Sequence, residues 1–189
     1  MDKRKKLLSA ALEMFVESGF HATPTSKISK QAGVATGTLF YLYPSKDDLI
    51  KALYVDIQTR LTESIQLEVK GETDAFRLIK GYFVSSLKWA LANTLEFKFV
   101  MQFTNSPYLN LLAGKDIERN TAVFKQIIIQ AIQHQILKPL DAEFIFYLIR
   151  GQNFSMYDYL TTQSQLKNDE KELIIDQTFD LLWSMIALG

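Results

Sequence analysis

The residues whose types and spacing carry recognisable chemistry lie between Thr25 and Lys46, in the run TSKISKQAGVATGTLFYLYPSK. Two segments of about seven residues flank Ala32-Gly33-Val34, and glycine at the joint suits a turn whose backbone needs positive φ. This spacing fits a helix-turn-helix, which lays its second helix in the DNA major groove. Ala35, Thr36, Gly37 and Thr38 open that second helix. Small or polar residues there let the backbone approach base edges and phosphates, whereas bulky ones would hold it away. The same pattern also describes two packed helices with no nucleic-acid role.

Other chemistries find little support. The chain has no cysteine, which removes disulfides, zinc–thiolate sites and cysteine nucleophiles and fits a reducing compartment. His21 and His134 are far apart and have no nearby ligand cluster, so no metal or other cofactor is expected. Asp169, Glu170 and Glu172 fall at a helix start and read as caps and solvated surface. No Ser/His/Asp set, phosphate-cradling glycine loop or pair of inward carboxylates can be assembled, so an enzyme is not expected.

Composition and charge agree with that reading. The 48% hydrophobic and 22% charged content of the 189 residues is that of an ordinary globular protein. The formal net charge is zero, yet it is unevenly spread. Residues 1–51 hold eight Lys and Arg against five Asp and Glu, a net of +3, leaving −3 on the remainder. A basic front suits contact with phosphates, where counterion release supplies affinity. Lys3-Arg4-Lys5-Lys6 reads either as an arm along a DNA backbone or as a frayed, solvated terminus. Glu13 and Glu17 interrupt the first apolar run, and no stretch approaches the roughly 20 apolar residues a membrane helix needs. A soluble, cytoplasmic protein without membrane contact is expected.

The elements that must position Thr25–Lys46 are all helices. Leu8, Ala11, Leu12 and Phe15 recur at helical spacing and form one apolar stripe, with Gly19 as a left-handed cap. Pro24 pushes Thr23 out of helical geometry, and Thr25 is expected to N-cap a short second helix carrying Ile28 and Ala32 inward. Gly33 ends it. The third helix spans Thr36–Tyr41, with Leu39 and Tyr43 as buried anchors and Pro44 as its stop. Ser45 and Asp48 form a capping box for a long fourth helix, about 46–69, ending near Gly71. Further helices are expected at about 73–92, 95–104, 116–137, 141–165 and 170–188, separated by Asn93-Thr94, Asn105-Ser106-Pro107, Gly114, Lys138-Pro139 and Lys167-Asn168. The expected class is all-α.

The N-terminal pattern resembles the TetR (tetracycline-repressor-like) family. The resemblance rests on Thr25, Ala32-Gly33-Val34, Ala35, Gly37-Thr38-Leu39, Phe40-Tyr41, Tyr43 and Ser45-Lys46, with Phe15 and Gly19-Phe20 in the first helix, over roughly the first 55 residues. Ser29 stands where the family usually has alanine, and Leu42 replaces its common histidine; Leu42 is therefore assigned no contact. Carried over by position, the resemblance implies phosphate contacts from Thr25, Lys27, Thr38, Tyr41 and Lys46. It implies base-facing roles for Thr36 and Gly37, with base-edge contacts from Tyr41 as well. Only base contacts specify sequence.

The resemblance also implies an N-terminal helix-turn-helix domain at 1–48 and a larger helical effector-binding and dimerisation domain at 49–189. The second region is rich in aromatics, by default a packed core; in the family it encloses a ligand cavity. Phe83, Trp89, Phe103, Phe124, Gln152 and Tyr157 are the expected linings for a small apolar or aromatic effector. Arg150, Gln152, Asn153 and Asp158 are polar in an apolar helix and either orient that ligand or face solvent. Leu148, Gly151, Phe179, Leu182 and Met185 are expected on a four-helix homodimer surface. The implied protein is a ligand-responsive repressor that binds a palindromic double-stranded operator, its recognition helices about 34–36 Å apart and its fourth helix the lever. Two other readings stand beside it: a DNA-binding regulator whose C-terminal domain binds a protein or only dimerises, and a helical enzyme or carrier.

Overall fold

The computed structural model describes residues 2–111 and 114–188, with the side chains of 111 and 114–120 left aside. Every regular element among them is helical: α1 Lys3–Ala22, α2 Thr25–Ala32, α3 Thr36–Leu42, α4 Lys46–Glu68, α5 Ala75–Ala92, α6 Thr94–Thr104, a 3-10 turn Pro107–Leu111, α7 Gly114–Gln133, α8 Ala142–Thr162 and α9 Asn168–Ile186. None is long and apolar enough to cross a membrane, among the described residues.

Local chemistry accounts for most of the boundaries. Ser45 and Asp48 exchange bonds at the start of α4: the Asp48 N–H donates to Ser45 Oγ at 3.1 Å, and the Ser45 N–H donates to Asp48 Oδ2 at 3.1 Å. Asp141 caps α8 by accepting from the Phe144 N–H at 2.9 Å, and Asp74 accepts from the Arg77 N–H at the start of α5. Gly71 follows α4 with φ 83°, a conformation that costs glycine little.

Several boundaries depart from expectation. The apolar stripe of α1 runs through Leu7, Ala10, Ala11, Leu12 and Phe15 rather than Leu8. Gly19, at φ 77° and ψ 166°, kinks the chain, which then makes one more turn to Ala22. Lys3 to Lys6 form the first turn of α1, capped by Asp2 accepting from the Arg4 N–H. Thr25 is the first helical residue of α2, not its cap; Pro24 precedes it without a side-chain bond. Helix α7 ends at Gln133, where Gln135 takes φ 57° and Leu137 pairs with Ala187 in an isolated bridge.

The chain divides into two compact units, and the division falls inside α4. Unit 1 comprises Met1–Arg60 with Asn93–Ile117, and unit 2 comprises Leu61–Ala92 with Glu118–Gly189. Aromatic packing explains why α6 joins the N-terminal helices. Phe99 meets Phe15 at 6.3 Å and Phe20 edge-on at 5.6 Å between centroids, and Phe103 stacks on Tyr54 at 4.1 Å. Tyr108 of the 3-10 turn lies 4.9 Å from Phe20, and the Gln102 Nε2–H donates to the Val16 carbonyl at 3.3 Å.

Unit 2 is organised around α5, packed against α8 and α9. Phe179 sits among Phe76, Phe83 and Trp183, and Tyr82 stacks on Phe124 at 4.4 Å. Gly81 permits a close approach, since a Cβ there would fall 2.6 Å from Val69 Cγ1. Ion pairs Lys80–Asp176 and Lys88–Glu172, each 3.0 Å, run along the partly exposed edge of α5 and α9 and contribute little individually.

Phe99 is fully buried at the meeting of α1 and α6, so Phe99→Ala is expected to cost about 3–5 kcal/mol. Urea unfolding checks this; a loss below 1 kcal/mol would show that α6 is not needed to hold unit 1 together.

Candidate nucleic-acid interface

Unit 1 presents α3 on a foundation of local bonds and buried apolar side chains. Gly33 takes φ 64° and ψ 34°, donating its N–H to the Lys30 carbonyl at 3.1 Å, while the Val34 N–H donates to Ser29 at 2.9 Å. These two bonds form a Schellman motif, which stops α2 and redirects the chain. Ile28 below the turn and Leu39 on α3 are both fully buried. Thr23, also buried, donates its hydroxyl to the carbonyls of Gly19 and Met14 at 2.7 and 3.2 Å and ties the connector to α1. The Ser29 hydroxyl donates to the Thr25 carbonyl at 3.0 Å, so the serine departure is absorbed inside the helix.

With Leu39 inward, the face of α3 pointing away from the core carries Thr36, Gly37, Phe40 and Tyr41. They lie at i, i+1, i+4 and i+5, one side of the helix. Tyr41 is 85% exposed and Phe40 is 44% exposed, an unusual outlay of aromatic surface for a helix face that nothing covers among the described residues. A Cβ at Gly37 would meet nothing within 4 Å, so glycine is not required there by the chain's own packing. Thr38 is half-buried beside Leu39, and Thr25 is half-buried at the start of α2. Lys27 and Lys30 are exposed on α2, as are the four basic residues opening α1.

Two anchors close the far side. Tyr43 is buried, and that burial raises its phenol above the usual range. Lys46 is half-buried, its Nζ donating to the His21 carbonyl at 3.5 Å, and burial lowers its pKa. Lys46 thus spans from the start of α4 to the end of α1.

The expected effector and dimer residues are distributed less uniformly. Phe83, Phe124 and Tyr157 are buried in unit 2, where Trp89 and Gln152 are half-buried; Phe103 belongs to unit 1 and packs on Tyr54. Phe103 therefore does not share a core with the other five. Arg150 lies over the rings of Tyr147 and Phe154 at 4.8 and 5.3 Å. Phe179 and Leu182, expected on a dimer surface, are instead enclosed in their own chain by α5 and α9 packing. Gly151 and Met185 are exposed and Leu148 half-buried. Helical periodicity alone does not tell which apolar face is spent internally. The exposed apolar stripes are Phe144, Tyr147 and Tyr159 on α8, and Leu173, Leu181 and Met185 on α9.

Comparison with known proteins gives these features a context. A family model described as "Bacterial regulatory proteins, tetR family" matches residues 7–53, the stretch that contains α2, the Gly33 turn and α3. A tetR family transcription regulator from Shewanella sp. PV-4 superposes with a TM-score of 0.92, at 26% identity and with 100% of both chains covered. Residues 7–53 thus match the tetR family's N-terminal module, and the whole chain shares the fold of a tetR family regulator. Among curated tetR-type relatives, the fatty acid metabolism regulator protein of Bacillus subtilis is 29% identical over 127 residues, 59% of this chain and 65% of that protein. The transcriptional regulator UidR of Escherichia coli is 34% identical over 68 residues, 36% of this chain and 35% of that protein. The chain thus spans less than two thirds of the length of these curated relatives. The structure of Bacillus subtilis FadR in complex with stearoyl-CoA shares the fold, with a TM-score of 0.76 at 20% identity and coverage of 95% and 97%.

The two glycines of the tetR module should respond oppositely to alanine. Gly33→Ala forces a side chain into the left-handed region and is expected to cost about 1 kcal/mol or more. Gly37→Ala is expected to be neutral or to stabilise by up to about 1 kcal/mol. Thermal unfolding of both variants distinguishes them, and equal losses would contradict this geometry.

Proposed function

We propose that this chain is a ligand-responsive, DNA-binding transcription regulator that acts as a homodimer on a palindromic operator, most simply as a repressor. The observation that carries the reading is the outward face of α3, where small residues lead and aromatics follow behind the Gly33 turn. Thr36 and Gly37 sit at the leading end, where close approach to base edges is sterically open. Lys27, Thr25, Thr38 and the Tyr41 hydroxyl supply phosphate contacts along the flank, and Lys46 adds its charge from the start of α4. Phe40 offers apolar surface suited to thymine methyl groups. With so few long polar side chains on α3, part of the specificity comes from DNA shape.

The functional division we infer is DNA recognition by 1–48 and effector binding and dimerisation by 49–189. Aromatic packing in unit 2 favours an apolar effector, and the relative named as a fatty acid metabolism regulator is consistent with a molecule bearing an alkyl chain. The exposed stripes of α8 and α9 supply the dimer surface, with Tyr147, Leu148, Gly151, Leu181 and Met185 in place of Phe179 and Leu182. An apolar helix face of this kind is covered in a stable protein. An effector that binds the DNA-incompetent arrangement more tightly shifts the population off the operator.

Salt dependence tests the phosphate assignments. On a random-sequence duplex, log affinity is expected to fall linearly with log salt, by about 0.9 for each phosphate neutralised. Lys27→Ala should weaken binding to all sequences alike and reduce the slope by about one. An unchanged slope in an anisotropy titration would remove Lys27 from the interface.

A further inference from the structure

Helix α3 carries no side chain of the kinds that read purines by paired hydrogen bonds. Arginine and lysine pair with the O6 and N7 of guanine, and asparagine and glutamine with the N6 and N7 of adenine. The helix reads TGTLFYL from Thr36 to Leu42 and holds none of these. Leu42 is half-buried and adds no polar atom. On α2 the carboxamide of Gln31 is engaged, its Nε2–H donating to Glu13 Oε2 at 2.6 Å. Lys27 and Lys30 are exposed on α2, and Lys3, Arg4, Lys5 and Lys6 are exposed at the start of α1. Exposed cations on α1 and α2 thus accompany an uncharged α3. Phosphate contacts of that kind position a protein on DNA, and the base contacts are left to the uncharged helix.

What α3 does present is apolar carbon and hydroxyl. Thr36 and Phe40 lie at i and i+4, neighbours on successive turns of one face, and both are exposed. A threonine γ-methyl and a phenyl ring suit the C5-methyl of thymine, the apolar group that a base pair shows in the major groove. The polar side-chain atoms of the helix are the hydroxyls of Thr36, Thr38 and Tyr41, and a hydroxyl both donates and accepts. It meets the O4 acceptor of thymine and the N4 donor of cytosine alike, and the N6 donor of adenine as readily as the O6 acceptor of guanine. The side chains of α3 therefore hold no group that rejects either base pair by its hydrogen bonds. The C5-methyl is what remains to distinguish them.

We propose that α3 identifies a pyrimidine by its C5-methyl group, through Phe40 and Thr36, so that 5-methylcytosine in a C·G pair is accepted in place of thymine in a T·A pair. The inference rests on the reading of α3 as the helix that enters the major groove, and it names the base chemistry read there. Methylation of cytosine then creates binding sites that the unmodified sequence lacks.

Selection by the full-length protein from random duplex pools of different base content, at one fixed salt concentration, tests this. One pool has the ordinary bases; another has uracil in place of thymine and 5-methylcytosine in place of cytosine. The ordinary pool is expected to yield a palindrome containing thymines. That palindrome is then remade with uracil at one thymine position per half-site at a time. At the contacted position anisotropy is expected to show about tenfold weaker binding, for one methyl lost from each half-site. The substituted pool is expected to yield the same palindrome with 5-methylcytosine at that position. The double variant Thr36→Ser, Phe40→Ala keeps the hydroxyl, removes both apolar groups, and is expected to bind the thymine and uracil forms alike. Equal binding of all uracil forms by the wild type, uracil kept at the contacted position in the substituted pool, or a thymine preference that survives the double variant would overturn the proposal. The wild-type selections need no variant, so a failure of the double variant to fold leaves the test intact. One palindrome enriched from both pools with uracil simply replacing thymine removes methyl reading alone, whereas no enrichment from either removes the DNA-binding reading as well.

Discussion

The direction in which α3 leaves α2 depends on a single residue in the left-handed region. At Gly33 the backbone turns through φ 64° and ψ 34°, and two hydrogen bonds from Gly33 and Val34 back to Lys30 and Ser29 hold the turn closed. Those bonds satisfy carbonyls that the end of a helix otherwise leaves without partners. Once the turn is fixed, burying Leu39 and Tyr43 determines which side of α3 faces away from the core. Thr36, Gly37, Phe40 and Tyr41 point outward as a consequence, not through any bond of their own. The exposed surface of α3 is thus the remainder left by the inward face.

A second layer of support comes from beyond the first 60 residues. Phe99 and Phe103 on α6, with Tyr108 after it, pack against Phe15, Phe20 and Tyr54. Aromatic side chains bury large areas with preferred geometries, so α6 fastens to α1 more firmly than its place in the chain implies. The bond from Gln102 to the Val16 carbonyl adds direction to that contact. This α1–α6 seam lies within the same compact unit as α3.

Features set by short-range rules were legible in the sequence. The Gly33 turn, the Ser45–Asp48 box, the Asp141 cap and the inward Leu39 all follow from residues within five positions of one another. The outward face of α3 was legible for the same reason. Features set by partners distant in the chain were not. Nothing near Phe103 announces that it packs on Tyr54 in unit 1, and the pattern around Phe179 and Leu182 is equally compatible with an internal or an external face. The Thr25 expectation failed for a subtler reason: a threonine after proline serves as well at the first helical position as at the cap. The contact between Asn153 and Ser86, 67 positions apart, is likewise visible only in the folded chain.

The central claim is that α3, presented in this way by two copies of the chain, reads a specific DNA sequence. Selection of bound duplexes from a random DNA pool by the purified protein, at one fixed moderate salt concentration, tests it most directly. The account predicts enrichment of a palindrome whose half-sites are one helical turn, about 34–36 Å, or a multiple of it apart. Recovery of no enriched sequence, with weak non-specific binding at the same salt, would contradict it.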